Sequence, residues 1–296
     1  MDAADDHPPG PAPGPAPGPG RRWRQRTVHA DGVDLAVHET GDPDAPPVVL
    51  VHGYPDTHRL WFPVARRLAE DLRVVVYDTR GQGLSLTDAP DTSFALPHLA
   101  ADLMAVLDEV SPDRPAHVVG HDWGSVQAWE AVCEPGAERR VASFTSISGP
   151  NLDHVADWVR RTLRHPSPGG LAGVVGQAVS SSYVPFLVSS LAPPVLRVAG
   201  GRDMVSGLRY YRGNLGGAAR RPRERRTSVP VLQLALTRDP FIREGSLTAS
   251  DPWCEDLRRR HLAAGHWAPR THPEAVADEV RAHVVDVEGR LGGPPS

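Results

Sequence analysis

The chain of 296 residues contains no lysine, so all 32 of its basic side chains are arginine. We read this as a coding bias that marks no site. Cysteine is scarce as well. Cys133 and Cys254 stand far apart in the sequence, which gives no disulfide framework and fits a reducing compartment. No apolar run is long enough to cross a bilayer. The N-terminus is acidic and then rich in proline and glycine, without a hydrophobic signal core. The cytoplasm is therefore the expected location. A formal net charge of −4 gives no reason to expect nucleic-acid or membrane partners. The Arg220–Arg226 run has no interleaved aromatics, and a solvated connector explains it more simply than a nucleic-acid site.

What is present is enough for a sizeable core: 40% of the residues are hydrophobic. Residues 1–22 cannot contribute, because proline and glycine at that density read as a disordered tail. Short β-like runs follow around Val28 and over Val33–His38, with Asp31-Gly32 as a hairpin signal between them. The continuous apolar runs Val48–Val51 and Val74–Tyr77 have the composition of strands buried on both faces. Helical spacing covers 60–72, with Pro63 in the first turn, and Leu96–Val110. His117–Val119 and Val141–Ile147 are further strands. The alternation then breaks. Asn151–Leu163 and Gly173–Val188 read as helices, while Leu191–Gly207 is rich in glycine and proline. Strands resume at Val229–Leu236 and 260–263, and Pro273–Val287 is the closing helix. Alternating strands and helices imply an α/β core with a mostly parallel sheet. The expected division is a core over 23–149 and 229–290, a helical insertion over 150–228, and a flexible end over 291–296.

The chain is organised around Val118-Val119-Gly120-His121-Asp122-Trp123-Gly124. A strand ends in Gly-x-Asp-x-Gly and a helix follows. This is the pattern of a nucleophile elbow, in which strained backbone lifts the central side chain above the sheet. The central residue is an aspartate, whose carboxylate can attack an sp³ carbon and form an ester. Read alone, the five residues could also be a glycine-rich turn with Asp122 capping the helix, a reading that carries the lesser weight. Order supplies the rest. Asp239 follows a later strand and His266 follows the last, giving nucleophile, acid and histidine at strand ends that converge on one crevice. His52 and His121, inside the turn motifs, read as structural.

With His52-Gly53-Tyr54-Pro55, Gly120-His121-Asp122-Trp123-Gly124, Asp239 and Gly265-His266-Trp267, the sequence resembles the α/β-hydrolase superfamily, and within it the epoxide hydrolases. It looks closest to hydrolase domains that sometimes precede a short-chain dehydrogenase domain. The resemblance covers residues 26–287 and implies an α/β-hydrolase fold with a helical lid. It implies that Asp122 is the nucleophile, with His266 and Asp239 as base and acid. The backbone N–H groups of Tyr54 and Trp123 would form an oxyanion hole, and Tyr54, Pro55, Trp123 and Trp267 would line the substrate site. Two lid tyrosines would hydrogen-bond the epoxide oxygen: Tyr183, followed by a helix-disturbing Pro185, and Tyr211, for which Tyr210 is an alternative. A small molecule is the implied partner, and no cofactor or metal is needed. The same aspartate would also serve a haloalkane dehalogenase, with the Trp123 indole as a halide donor. A binding protein that has kept the fold without turnover is the reading from another class.

Overall fold

A computed structural model describes residues 22–215 and 223–291. The expected tail up to residue 21, the start of the arginine connector at 216–222 and the end of the chain from 292 lie outside the described residues. The strands are β1 (Arg24–Ala30), β2 (Val33–Thr40), β3 (Pro47–Val51), β4 (Arg73–Tyr77), β5 (Ala116–His121), β6 (Val141–Ile147), β7 (Val231–Leu236) and β8 (Leu257–Leu262). They form one sheet in the order β1-β2-β4-β3-β5-β6-β7-β8. The β1–β2 and β2–β4 pairs are antiparallel, and every pair from β4 to β8 is parallel.

The sequence explains the layers. In β3 every residue is buried, and alternate side chains serve opposite faces of the sheet. Val49 and Val51 join Trp129 and Phe144 in one core, under α2 (Leu96–Val110) and α3 (Trp123–Val132). Val48 and Leu50 join Trp61 and Leu68 in the other, under α1 (Phe62–Leu68) and the C-terminal helix Pro273–Leu291. β8, Leu-Arg-Arg-Arg-His-Leu, lies at the sheet edge and is half exposed; arginines there blunt the unpaired edge.

Between β6 and β7 the described residues form five helices: α4 (Leu152–Arg164), α5 (Pro168–Ser180), α6 (Val184–Val188), α7 (Ala192–Ser206) and α8 (Leu208–Leu215). Two expectations change here. The helix expected over Gly173–Val188 is two helices, because Pro185 opens α6 in its first turn, where its missing N–H costs nothing. The glycine- and proline-rich Leu191–Gly207 stretch is helical for the same reason, with a proline in its first turn. Gly201, at φ 75°, kinks it. The helix expected over 60–72 is a 3-10 turn, His58–Trp61, followed by α1, which ends at Leu68. Among the described residues, no helix is long and apolar enough to cross a membrane.

Candidate active site

Asp122 joins β5 to α3 with φ 53° and ψ −126°, a backbone region that costs a side chain of order 1–3 kcal/mol. Its neighbours permit this. A Cβ on Gly124 would come within 2.1 Å of the Val51 carbonyl oxygen, and one on Gly120 within 2.5 Å of the Ser125 Cα. The elbow therefore packs against β3 and α3 only with glycine on both sides of the turn, at 120 and 124. The Asp122 side chain is 16% exposed. The Tyr54 N–H donates to Asp122 Oδ1 at 2.7 Å, and the Trp123 N–H also donates to this carboxylate. Both expected oxyanion donors thus point at one group. Gly53 keeps the approach open, since a Cβ there would lie 2.3 Å from Oδ1.

His266 lies in the loop after β8, with Nε2 3.7 Å from Asp122 Oδ2. Its Nδ1–H donates to Asp239 Oδ2 at 3.0 Å. Asp239, after β7, also accepts from Ser148 Oγ at 2.6 Å and, on Oδ1, from the N–H groups of Phe241 and Ile242 at 2.8 and 3.2 Å. The three residues expected from the sequence therefore form one connected line, and the charges follow from it. Burial pushes the Asp122 carboxyl up to about 6, against the pull of His266 and the two N–H donors. Burial pushes His266 down, but the Asp239 hydrogen bond and the two carboxylate charges outweigh it and hold the imidazole above its ordinary value. Burial likewise pushes Asp239 up, and the bonds from His266 and Ser148 reverse this, leaving it below the usual carboxylate range.

The aromatic side chains complete the site. Tyr211 packs edge-to-face on Trp123 and Tyr54, with ring centroids 5.0 and 5.4 Å away, and Tyr183 meets it at 6.4 Å. Burial, and then the Asp122 charge, pushes Tyr183 up to about 12 and Tyr211 well above the ordinary phenol value. Both therefore stay protonated as donors. Tyr210 is turned away: its hydroxyl donates to the Arg80 carbonyl and meets Thr79 Oγ1, each at 2.7 Å. Adjacent helical residues point about 100° apart, so the Tyr210 hydroxyl leaves the site while its ring stacks on Trp123 at 5.8 Å. Pro55 follows a cis peptide bond from Tyr54. The Trp267 indole N–H donates to Asp56 Oδ2 at 3.1 Å, and its ring packs on His266 at 5.0 Å.

A family model for the alpha/beta hydrolase fold matches residues 46–178. The protein named "Probable oxidoreductase EphD" from Mycobacterium tuberculosis is 38% identical over 280 residues, covering 84% of this chain and 47% of its own. The chain thus spans about half the length of that relative. Epoxide hydrolase A from the same organism is 38% identical over 129 residues, covering 43% of this chain and 39% of its own. Among solved structures, an inhibitor complex of Bacillus megaterium epoxide hydrolase shares the fold with a TM-score of 0.70 at 19% identity, covering 88% of this chain and 100% of its own. The chain has the α/β-hydrolase fold and is similar to epoxide hydrolases.

Several residues of this α/β-hydrolase site escape sequence reasoning. Phe241 packs on His266, Tyr183 and Trp267 with centroids at 4.9, 5.3 and 6.1 Å. Its carbonyl accepts from Gln177 Nε2 at 2.9 Å, which ties α5 to the acid loop. Asp56, raised by burial, adds negative charge beside Asp122 and His266. His52 and His121 are structural. His52 Nδ1–H donates to the Gly53 carbonyl while its Nε2 accepts from the Thr79 N–H. His121 Nε2–H donates to the His266 carbonyl at 2.8 Å and fixes the histidine loop. Among the described residues, His38, His58 and Asp78 bring metal-ligand atoms within 4.8 Å of one another. Asp78 Oδ1 already accepts from the His58 N–H and Nδ1, each at 2.8 Å, and the triad does not use this group.

Ser148, at φ 51°, gives the first prediction. Ser148→Ala removes a hydrogen bond to a buried carboxylate and is expected to cost about 1.5–3 kcal/mol at neutral pH. The Asp239 pKa is lowered on folding, so its bonds stabilise above the unfolded value of 3.8 and are lost as pH falls through the lower folded value. Urea melts of both proteins should therefore converge in acid. An equal gap at pH 7 and in acid would detach Ser148 from the Asp239 charge.

Proposed function

We propose that this protein opens small organic epoxides to vicinal diols through an alkyl ester on Asp122. The observation that carries the reading is a carboxylate, rather than a hydroxyl, on the elbow, held between two backbone donors and a histidine 3.7 Å away. Asp122 Oδ2 attacks the less hindered epoxide carbon from the back and the C–O bond breaks. Tyr183 and Tyr211 donate to the departing oxygen, because an unassisted alkoxide is too basic a leaving group. The ester that forms has no charge. One of the causes that raise the His266 pKa is then gone, and the imidazole gives up its proton more readily. His266, oriented by Asp239, takes a proton from water as that water attacks the ester carbonyl. The new oxyanion sits on the Tyr54 and Trp123 N–H groups, where each donor is worth about 3–4 kcal/mol in comparable sites.

Heavy-oxygen water separates this route from direct attack by water on the epoxide. With enzyme in excess over an epoxide, the first-turnover diol is expected to be unlabelled and the label to appear on Asp122. Ester hydrolysis breaks the bond at the acyl carbon, so the oxygen that leaves in the diol is the one Asp122 contributed. A labelled diol with an unlabelled Asp122 peptide would assign His266 to water attacking the epoxide itself.

A further inference from the structure

The charge of this chain is unevenly placed. Residues 150–215 carry seven arginines, three aspartates and no glutamate, a net +4, so the rest of the chain carries −8. The same segment is unusually apolar on its outside. Of the thirteen large hydrophobic side chains exposed among the described residues, nine lie here.

Their spacing forms stripes. α5 has no charged residue. Leu171, Val175 and Val179 stand on its outer side at i, i+4 and i+8, the last two 61% and 65% exposed. On α7, Ala192 and Leu196 are buried over the site, while Val195 and Val198 face outward and Val198 is 91% exposed. A cover that only shielded the site would bury one apolar face and present a polar one. α5 is apolar on both, and α7 exposes Val195 and Val198 beside Arg197. Cations flank the stripes: Arg164 and Arg197 are exposed and have no carboxylate partner among the described residues. Beside α7 and α8 lies a cleft of about 640 Å³ lined by Arg197, Arg202, Arg209 and Arg212 with Asp88 and Asp91. Arg209 spends its donors on the Thr87, Ala89 and Ser206 carbonyls and the Ser206 hydroxyl, and it meets the Asp88 and Asp91 charges only across the cleft.

We propose that this helical insertion docks on the surface of an anionic phospholipid bilayer, with the α5 and α7 stripes in the interface and the surrounding arginines on lipid phosphates. An apolar stripe flanked by arginine is the pairing that such surfaces retain: buried apolar area supplies the partition and the cations supply the preference for anionic headgroups. A second copy of this chain is the weaker occupant, because two +4 surfaces repel one another. The contact leaves the acidic body in water and places the cover of the active site against the phase in which apolar molecules collect.

The test is cosedimentation of the full chain with vesicles of pure phosphatidylcholine or of phosphatidylcholine doped with phosphatidylglycerol. Binding is expected to the doped vesicles alone and to fade as salt rises toward about 1 M. The double change Val175→Asp, Val179→Asp is expected to abolish it. Arg164→Glu and Arg197→Glu should each weaken it about fivefold or more, the worth of one arginine at such a surface. Thermal melts control for folding without relying on the proposed reaction. Binding to neither vesicle, or equally to both, overturns the proposal. So does self-association in sedimentation velocity that Val179→Asp dissolves while vesicles go unbound, an outcome that assigns the face to a second copy.

Discussion

His266→Gln is expected to turn the protein into a single-event reagent. With an epoxide it should gain one substrate mass on the peptide containing Asp122, and kcat should fall by about 10³-fold or more, within the usual contribution of a general base. The asymmetry follows from the geometry. In the proposed route alkylation needs the Asp122 carboxylate and the two tyrosines, none of which His266 deprotonates. Ester hydrolysis needs a base near the water, and the His266 imidazole is the group 3.7 Å from the nucleophile with a buried carboxylate behind it. Glutamine fills the space without supplying the base. Digestion and mass spectrometry read the adduct, and a quench-flow trace should show a burst of ester followed by a flat line. Diol formation at the parent rate would move the base elsewhere. Absence of adduct and diol together, in a protein that melts normally, would mean that the imidazolium also assists ring opening.

The line Asp122–His266–Asp239 was legible because each member sits at the end of a strand with its own local signature. The elbow glycines, the Asp-Pro after β7 and the Gly-His-Trp after β8 are short-range patterns, and the parallel sheet brings their loops together without further information. Ser148 was not legible, because its meaning lies in a bond to a residue 91 positions away. Phe241 and Asp56 act through packing and charge against His266, which no spacing rule encodes. The choice between Tyr210 and Tyr211 depends on the rotation of one short helix, which turns the Tyr210 hydroxyl to Thr79 and Arg80. Helix limits were misplaced where prolines sit, since a proline that breaks one helix can open the next. The whole-chain charge of −4 hid a cationic insertion on an acidic body, because a sum carries no position.

Asp122→Asn is expected to lower kcat/KM by about 10⁴-fold or more, as loss of a nucleophile does in comparable enzymes, and at the same time to make the protein more stable. Unfolded, Asp122 ionises near 3.8; burial raises this to about 6 in the fold. Below 3.8 the group is neutral in both states and contributes no pH-dependent difference. Between pH 3.8 and about 6 the unfolded chain has given up the proton that the folded protein still holds, so stability falls over that interval, and the full penalty stands above about 6. A shift of this size corresponds to about 3 kcal/mol. Asparagine keeps an oxygen for the Tyr54 and Trp123 donors and never carries the charge. The variant should therefore melt a few degrees higher at pH 8, with urea midpoints giving a gain of about 2–3 kcal/mol that shrinks toward pH 4. A gain that stays constant with pH would come from relieved packing rather than from the carboxylate. A loss at pH 8 would mean that the His266 charge and the two N–H donors stabilise the ionised nucleophile more than burial penalises it. The expected opposition, stability gained as turnover is lost, is what a charge kept in place for attack should produce.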